Sequence, residues 1–254
     1  MAAPAPAPPR TDGITDRLIP AAVGPTQLVV GLLVFTDLLM VVLHLAHRSV
    51  QVNSRVPMVK SLAFNISSDH GIAESFGYVQ LFWVVLLLLW LGTLGRRRSY
   101  LPWALLFAFL LADDLFSLHQ SAGSALVRAA GEDPARLLAG GLRTQDVGEL
   151  AFAGPVGLIL LVLLTWGYRR GTARTRTTYR QLLGLSLMLA VFGLVVDGLA
   201  TGLGDSGLQL LHLLEDGGEL LVVTAVLGYV VMLTGRTCAE QRSEPSSVRS
   251  NAGG

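Results

Sequence analysis

Residues 207–234 read GLQLLHLLEDGGELLVVTAVLGYVVMLT. The stretch is long enough to cross a bilayer as one helix, and it holds no Lys or Arg. It nevertheless carries His212, Glu215, Asp216 and Glu219. On a helix these four fall at i, i+3, i+4 and i+7, inside an arc of roughly 100°. Three carboxylates and an imidazole in an apolar span are costly unless they face a bundle interior, a cavity or a partner. This stripe therefore bears on both the fold class and the function.

Five more apolar segments precede it, near 27–47, 76–95, 100–126, 147–168 and 181–203. The chain has 254 residues, 52% hydrophobic and 15% charged, with a mean hydropathy of +0.56. That is membrane composition. The expected fold is all-α: a polytopic bundle of about six transmembrane helices over residues 27–234. A Pro/Ala-rich tail, 1–26, is expected to be disordered, and the polar tail 235–254 flexible. The first apolar stretch is too long for a cleaved signal peptide, and Asp37 interrupts it.

Arginines give the expected orientation. Arg96, Arg97 and Arg98 fill the second loop, and Arg169, Arg170, Arg174, Arg176 and Arg180 crowd the fourth. Arg10 and Arg17 precede the first span, and Arg236 and Arg242 follow the last. These are alternate connections, so the positive-inside rule puts them, and both termini, in the cytoplasm. Arginine outnumbers the single lysine, Lys60, in a chain rich in Ala, Leu and Gly. That bias points to a high-GC bacterium and hence to its cytoplasmic membrane. The basic residues sit at segment ends rather than on one face, so no nucleic-acid partner is expected. The only cysteine, Cys238, excludes an intrachain disulfide.

This orientation collects the polar groups in one layer, from the midplane to the outer surface. Asp37, Asp113 and Asp114 lie near the midplane. His44, His119, Glu149, Asp197 and the residue 212–219 stripe lie further out. No basic side chain shares the layer. The acids must be protonated, hydrated, bonded to the histidines or neutralised by a cation. A polar cavity open to the outer side is expected.

Imidazole and carboxylate are ligand types for zinc, iron and manganese, and helical bundles build such sites from Glu and His. His212, Glu215 and Glu219 are the expected core ligands of a divalent metal, with Asp113 and Asp197 as additional ones. Asp216 or Asp114 is the expected general base. In segment three, His119 lies about 120° from Asp113 on an ideal helix, so the two cannot face one ion unless the helix is distorted. His119 is therefore assigned a supporting role or a structural hydrogen bond, with Gln120, Glu149, Asp37 and His44 as further cavity residues. Asp37 and His44, seven apart, share one face. Asp69, His70 and Glu74 read as a solvated loop. Pro155 is expected to kink segment four.

Asp113-Asp114-Leu115-Phe116-Ser117-Leu118-His119-Gln120 and Glu215-Asp216-Gly217-Gly218-Glu219 resemble two motifs of poorly characterised bacterial multipass membrane proteins. Those carry an acidic pair followed by His-Glu, and later an acidic pair with a third acid three residues on. Gln120 departs from the Glu of that pattern, and the resemblance implies no known activity. A fainter likeness to alkaline ceramidases stops at their last-helix His-x-x-x-His pair, which this chain lacks.

The expected function is a membrane-embedded, metal-dependent hydrolase or oxidoreductase acting on a lipid or apolar substrate. A proton- or cation-coupled transporter and a non-enzymatic subunit or sensor are the alternatives.

Overall fold

A computed structural model describes residues 24–53, 71–94, 97–133, 135–136, 138, 143–196 and 205–243, of which 25, 47–53, 194–196, 205–210, 212, 242 and 243 are described by their backbone alone. All regular structure among them is helical. The helices are α1 (Pro25–Asn53), α2 (Ile72–Thr93), α3 (Leu101–Phe116), α4 (Leu118–Ala129), α5 (Thr144–Arg170), α6 (Ala173–Ala190) and α7 (Asp205–Ser243). A 3-10 turn, Arg98–Tyr100, leads into α3, and a π-helical turn, Val191–Val196, extends α6.

The ends follow from local chemistry. Pro102 occupies the first turn of α3, where a missing N–H costs nothing. Arg143 N–H donates to Asp146 Oδ2 at 2.8 Å and caps α5. The Thr172 hydroxyl accepts from Thr175 N–H at 3.3 Å and starts α6.

Helix α7 is the centre of the bundle. Half of its apolar window is buried, 50%, against 6% for α5 and 11% for α1. It packs on α1, α2, α6 and the π turn. Leu88, Leu91, Trp103, Phe107, Leu182, Val226 and Val230 form the continuous apolar core between α2, α3, α6 and α7. The outer faces are apolar too: Leu150 is 72% exposed, Leu158 62% and Leu161 60%. In water such a surface would associate, whereas lipid is its natural solvent. Five helical stretches among the described residues are long and apolar enough to cross a membrane. The architecture is that of a membrane protein.

Three differences from expectation matter. The expected single segment 100–126 is broken at Ser117, whose left-handed backbone (φ 47°, ψ 49°) separates α3 from α4. The expected segment 181–203 is not among the five candidate spans. Its described part ends with the π turn at Val196, and the helix it continues begins with Arg174, Arg176 and Arg180. Helix α7 runs past the expected end of the last span, through Gly235 to Ser243. Pro155 lies inside α5, which is one element from Thr144 to Arg170.

Helices α4 and α5 meet backbone to backbone. A Cβ on Gly123 would lie 2.6 Å from Glu149 N, and one on Gly148 would overlap Gly123 O and come within 2.8 Å of Val127 Cγ2. Only glycine allows this approach. Gly154, on the same helix, faces open space. We expect Gly148→Ala to cost about 1–3 kcal/mol and Gly154→Ala to be neutral. Thermal unfolding of the detergent-solubilised protein checks the pair, and equal effects would contradict the packing.

Candidate functional site

The acidic stripe of α7 is held by close helix contact. A Cβ on Gly217 would make ordinary contact with Val41 Cγ2 of α1, at 3.5 Å, whereas one on Gly218 would overlap the Phe192 ring. Further along, a Cβ on Gly228 would sit 2.8 Å from Val30 Cγ2. The missing side chains thus let α1 and the π turn close on α7. Glu219 faces that turn: a Cβ on Gly193 would overlap its Oε1. A π turn widens the helix locally and often marks a functional position. Here it brings a glycine backbone against the Glu219 carboxylate. Glu215, Asp216 and Glu219 are all engaged in polar or electrostatic interactions. The His212 side chain and Asp197 lie outside the described residues.

Deeper in the bundle, three helices meet at one amide. Gln80 of α2 donates its Nε2–H to Asp37 Oδ1 of α1 at 3.3 Å and accepts the Thr224 hydroxyl of α7 on Oε1 at 2.8 Å. All three residues are buried, with exposures of 0% for Asp37, 1% for Gln80 and 1% for Thr224. Asp37 Oδ2 is buried with no hydrogen-bond partner among the described residues. His44, one face-repeat along α1, is buried as well, which agrees with the shared face expected for the two. The sequence reading singled out Asp37 but missed Gln80 and Thr224. A lone Gln in YVQLFWVVLLLLW was the available signal.

The break at Ser117 joins two groups that an ideal helix keeps apart. Asp113 Oδ2 lies 2.8 Å from His119 Nδ1, and Asp113 Oδ1 accepts His119 N–H at 2.8 Å. One carboxylate therefore caps the first turn of α4 and orients the imidazole on it. The pair is partly exposed, 34% for His119 and 16% for Asp113. Asp114 is exposed, and Glu74, Asp113 and His119 are the ionisable groups within electrostatic reach of it. Tyr78 OH donates to Glu74 and approaches the Asp114 carbonyl at 3.4 Å. Glu74 is thus part of this cluster rather than of a solvated loop. It stands in the first turn of α2.

Of the remaining expected residues, Gln120 is exposed on α4. Glu149 accepts from Gln145 Nε2 at 2.8 Å beside the Gly123–Gly148 contact. Among the described residues no three His, Cys, Asp or Glu side chains converge as metal ligands. Two features carry the acidic groups: the Asp113–His119 pair with its acidic neighbours, and the α7 stripe against the π turn.

The family model described as a domain of unknown function, DUF8692, matches residues 32–233, which span α1 to most of α7. The chain belongs to this family. The DUF8692 match covers the Asp37–Gln80–Thr224 network, the Asp113–His119 pair and the acidic stripe of α7, and it agrees with the resemblance to a poorly characterised family. No curated protein matches the chain, and no solved structure does.

Two outcomes follow for stability. Gln80→Leu strands the Asp37 and Thr224 oxygens in the core and is expected to cost about 1–3 kcal/mol. Asp37→Asn keeps an acceptor for Gln80 and should cost less than half as much; thermal unfolding in detergent ranks the two. Asp113→Ala removes the cap of α4 at about 1 kcal/mol, while Ser117→Gly suits the left-handed backbone and should not destabilise. A destabilised Ser117→Gly would argue against the break.

Proposed function

We propose that this protein is a membrane-embedded enzyme whose site opens on the side away from the arginine-rich end, and that it acts on a lipid or other apolar substrate. The Asp113–His119 pair carries this reading. With Asp113 opposite Nδ1 at 2.8 Å, the imidazole proton belongs on Nδ1 and Nε2 is the basic nitrogen. A carboxylate that fixes the ring in this way serves a general base and a metal-ligating histidine equally well. Partial exposure gives a substrate access to it.

The α7 stripe supplies the second half. Its donor chemistry suits zinc, iron or manganese, with His212, Glu215 and Glu219 as ligands and Asp197 as an additional one. Both Asp113 oxygens already accept from His119, so His119 Nε2 is a better donor to an ion than Asp113 itself. Asp114 or Asp216 then handles protons. Zinc would supply an activated water for hydrolysis, and paired irons would supply oxidation. In this reading the chain makes six spans. Both termini lie in the cytoplasm of a bacterium, by the arginine distribution.

A proton- or cation-coupled transporter needs a polar path through the whole bundle. Past Gln80 and Thr224, Leu88, Leu91, Phe107, Val226 and Val230 form an apolar layer across the described core. That favours a one-sided site.

Elemental mass spectrometry of the detergent-purified protein tests the metal. Near-stoichiometric zinc, iron or manganese is expected, falling about tenfold or more in His119→Ala and Glu219→Gln. A folded, metal-free wild type would remove the metal. Cellular lipid profiles that stay identical on production of wild type and of His119→Ala would then overturn the enzyme itself.

A further inference from the structure

At the opposite end of the bundle, α6 and α7 enclose a cleft of about 210 Å³. From α6 it takes Arg174, Thr177, Thr178 and Gln181, and from α7 it takes Tyr229, Met232, Leu233 and Arg236. Each set falls at i, i+3, i+4 and i+7, so two complete helical faces look at each other. The helices run antiparallel. Gln181 and Tyr229 therefore meet at the inner end, where Tyr229 OH donates to Gln181 Oε1, and Arg174 and Arg236 stand together at the mouth.

The mouth carries excess positive charge. Glu240 is shared between Arg97, at 2.6 Å, and Arg174. Arg236 makes no ion pair with any described residue. Three guanidiniums thus share one carboxylate around the opening. Of the uncharged groups facing inward, one offers donors to an anion. The Thr177 and Thr178 hydroxyls spend their protons on the carbonyls of Ala173 and Arg174 and face a ligand only as acceptors. The Gln181 amide, whose oxygen is taken by Tyr229, keeps its N–H groups for a ligand. Between the donors, Met232 and Leu233 give the cleft an apolar wall. Its volume falls below the about 300–1,000 Å³ of pockets that enclose a whole small molecule. A phosphate group fits that size, with the remainder of its molecule outside along the exposed apolar helix faces.

We infer that this cleft binds the phosphate of an anionic phospholipid, held by Arg174, Arg236 and the Gln181 amide. Guanidinium is the preferred side chain for phosphate, and basic pockets between membrane helices are suited to anionic headgroups. The apolar wall and the membrane-edge position favour a lipid over a free phosphate.

The full-length protein, purified in neutral detergent, is mixed with phosphatidylglycerol or phosphatidylcholine and read by native mass spectrometry. Wild type should retain phosphatidylglycerol in preference to phosphatidylcholine. Arg236→Gln should lower retention about fivefold. Arg170→Gln should leave it unchanged, because Arg170 stacks on Trp166 away from the cleft, 4.4 Å from the ring centroid. Equal loss in both variants would mean diffuse attraction to a basic end and would overturn the site. Equal retention of the two lipids would overturn it as well. Full displacement by an equal concentration of glycerol phosphate would overturn the lipid and leave a soluble phosphate ester as the ligand.

Discussion

The amide of Gln80 has to satisfy itself inside a bundle that holds only side chains, and it does so by tying α1 to α7. Both ends of one amide are spent on different helices, and helix α2 carries it between them. Van der Waals contact supplies most of the energy of helix association in lipid, but it is poorly specific along a helix. A buried three-residue hydrogen-bond network fixes depth as well as proximity. Once Asp37, Gln80 and Thr224 share a layer, the register of α1, α2 and α7 is set. The close approaches of Val41 to Gly217 and of Val30 to Gly228 then lie one to two turns to either side on α7.

That registration divides the molecule. On one side of the layer stand the α7 acids, the π turn, and the Asp113–His119 pair with Glu74 and Asp114. On the other side an apolar layer of Leu88, Leu91, Phe107, Val226 and Val230 separates these groups from the α6–α7 cleft and the arginines. At the arginine end, Arg97 and Arg174 share the Glu240 carboxylate, and Arg236 lines the cleft beside them.

The break at Ser117 follows the same constraint on unsatisfied groups. Interrupting a helix frees backbone N–H groups that hydrocarbon cannot solvate. Asp113 takes one of them, from His119, and the same carboxylate reaches the His119 ring. A structural repair and a candidate reactive pair are thus one arrangement. Asp113 lies in an apolar segment because the break beside it needs an acceptor.

Hydropathy and arginine placement were sufficient to identify apolar membrane helices and to collect the unusual acids, because burial in lipid acts on each segment by itself. Asp37 stood out for the same reason. Period arguments showed that Asp113 and His119 could meet only across a distorted helix. They could not show that Ser117 distorts it, since a left-handed residue other than glycine depends on what surrounding contacts repay. Gln80 and Thr224 were illegible because each is an ordinary residue until the partner on another helix is known. The cleft between α6 and α7 has the same origin: its two faces lie some fifty residues apart in sequence, and each alone reads as the polar end of a helix. Segment by segment, the sequence determined what enters the membrane and which charges must be compensated there. Only the tertiary structure decided which helix supplies each partner, because hydrogen bonds and close contacts between helices depend on register and distance that no single segment encodes.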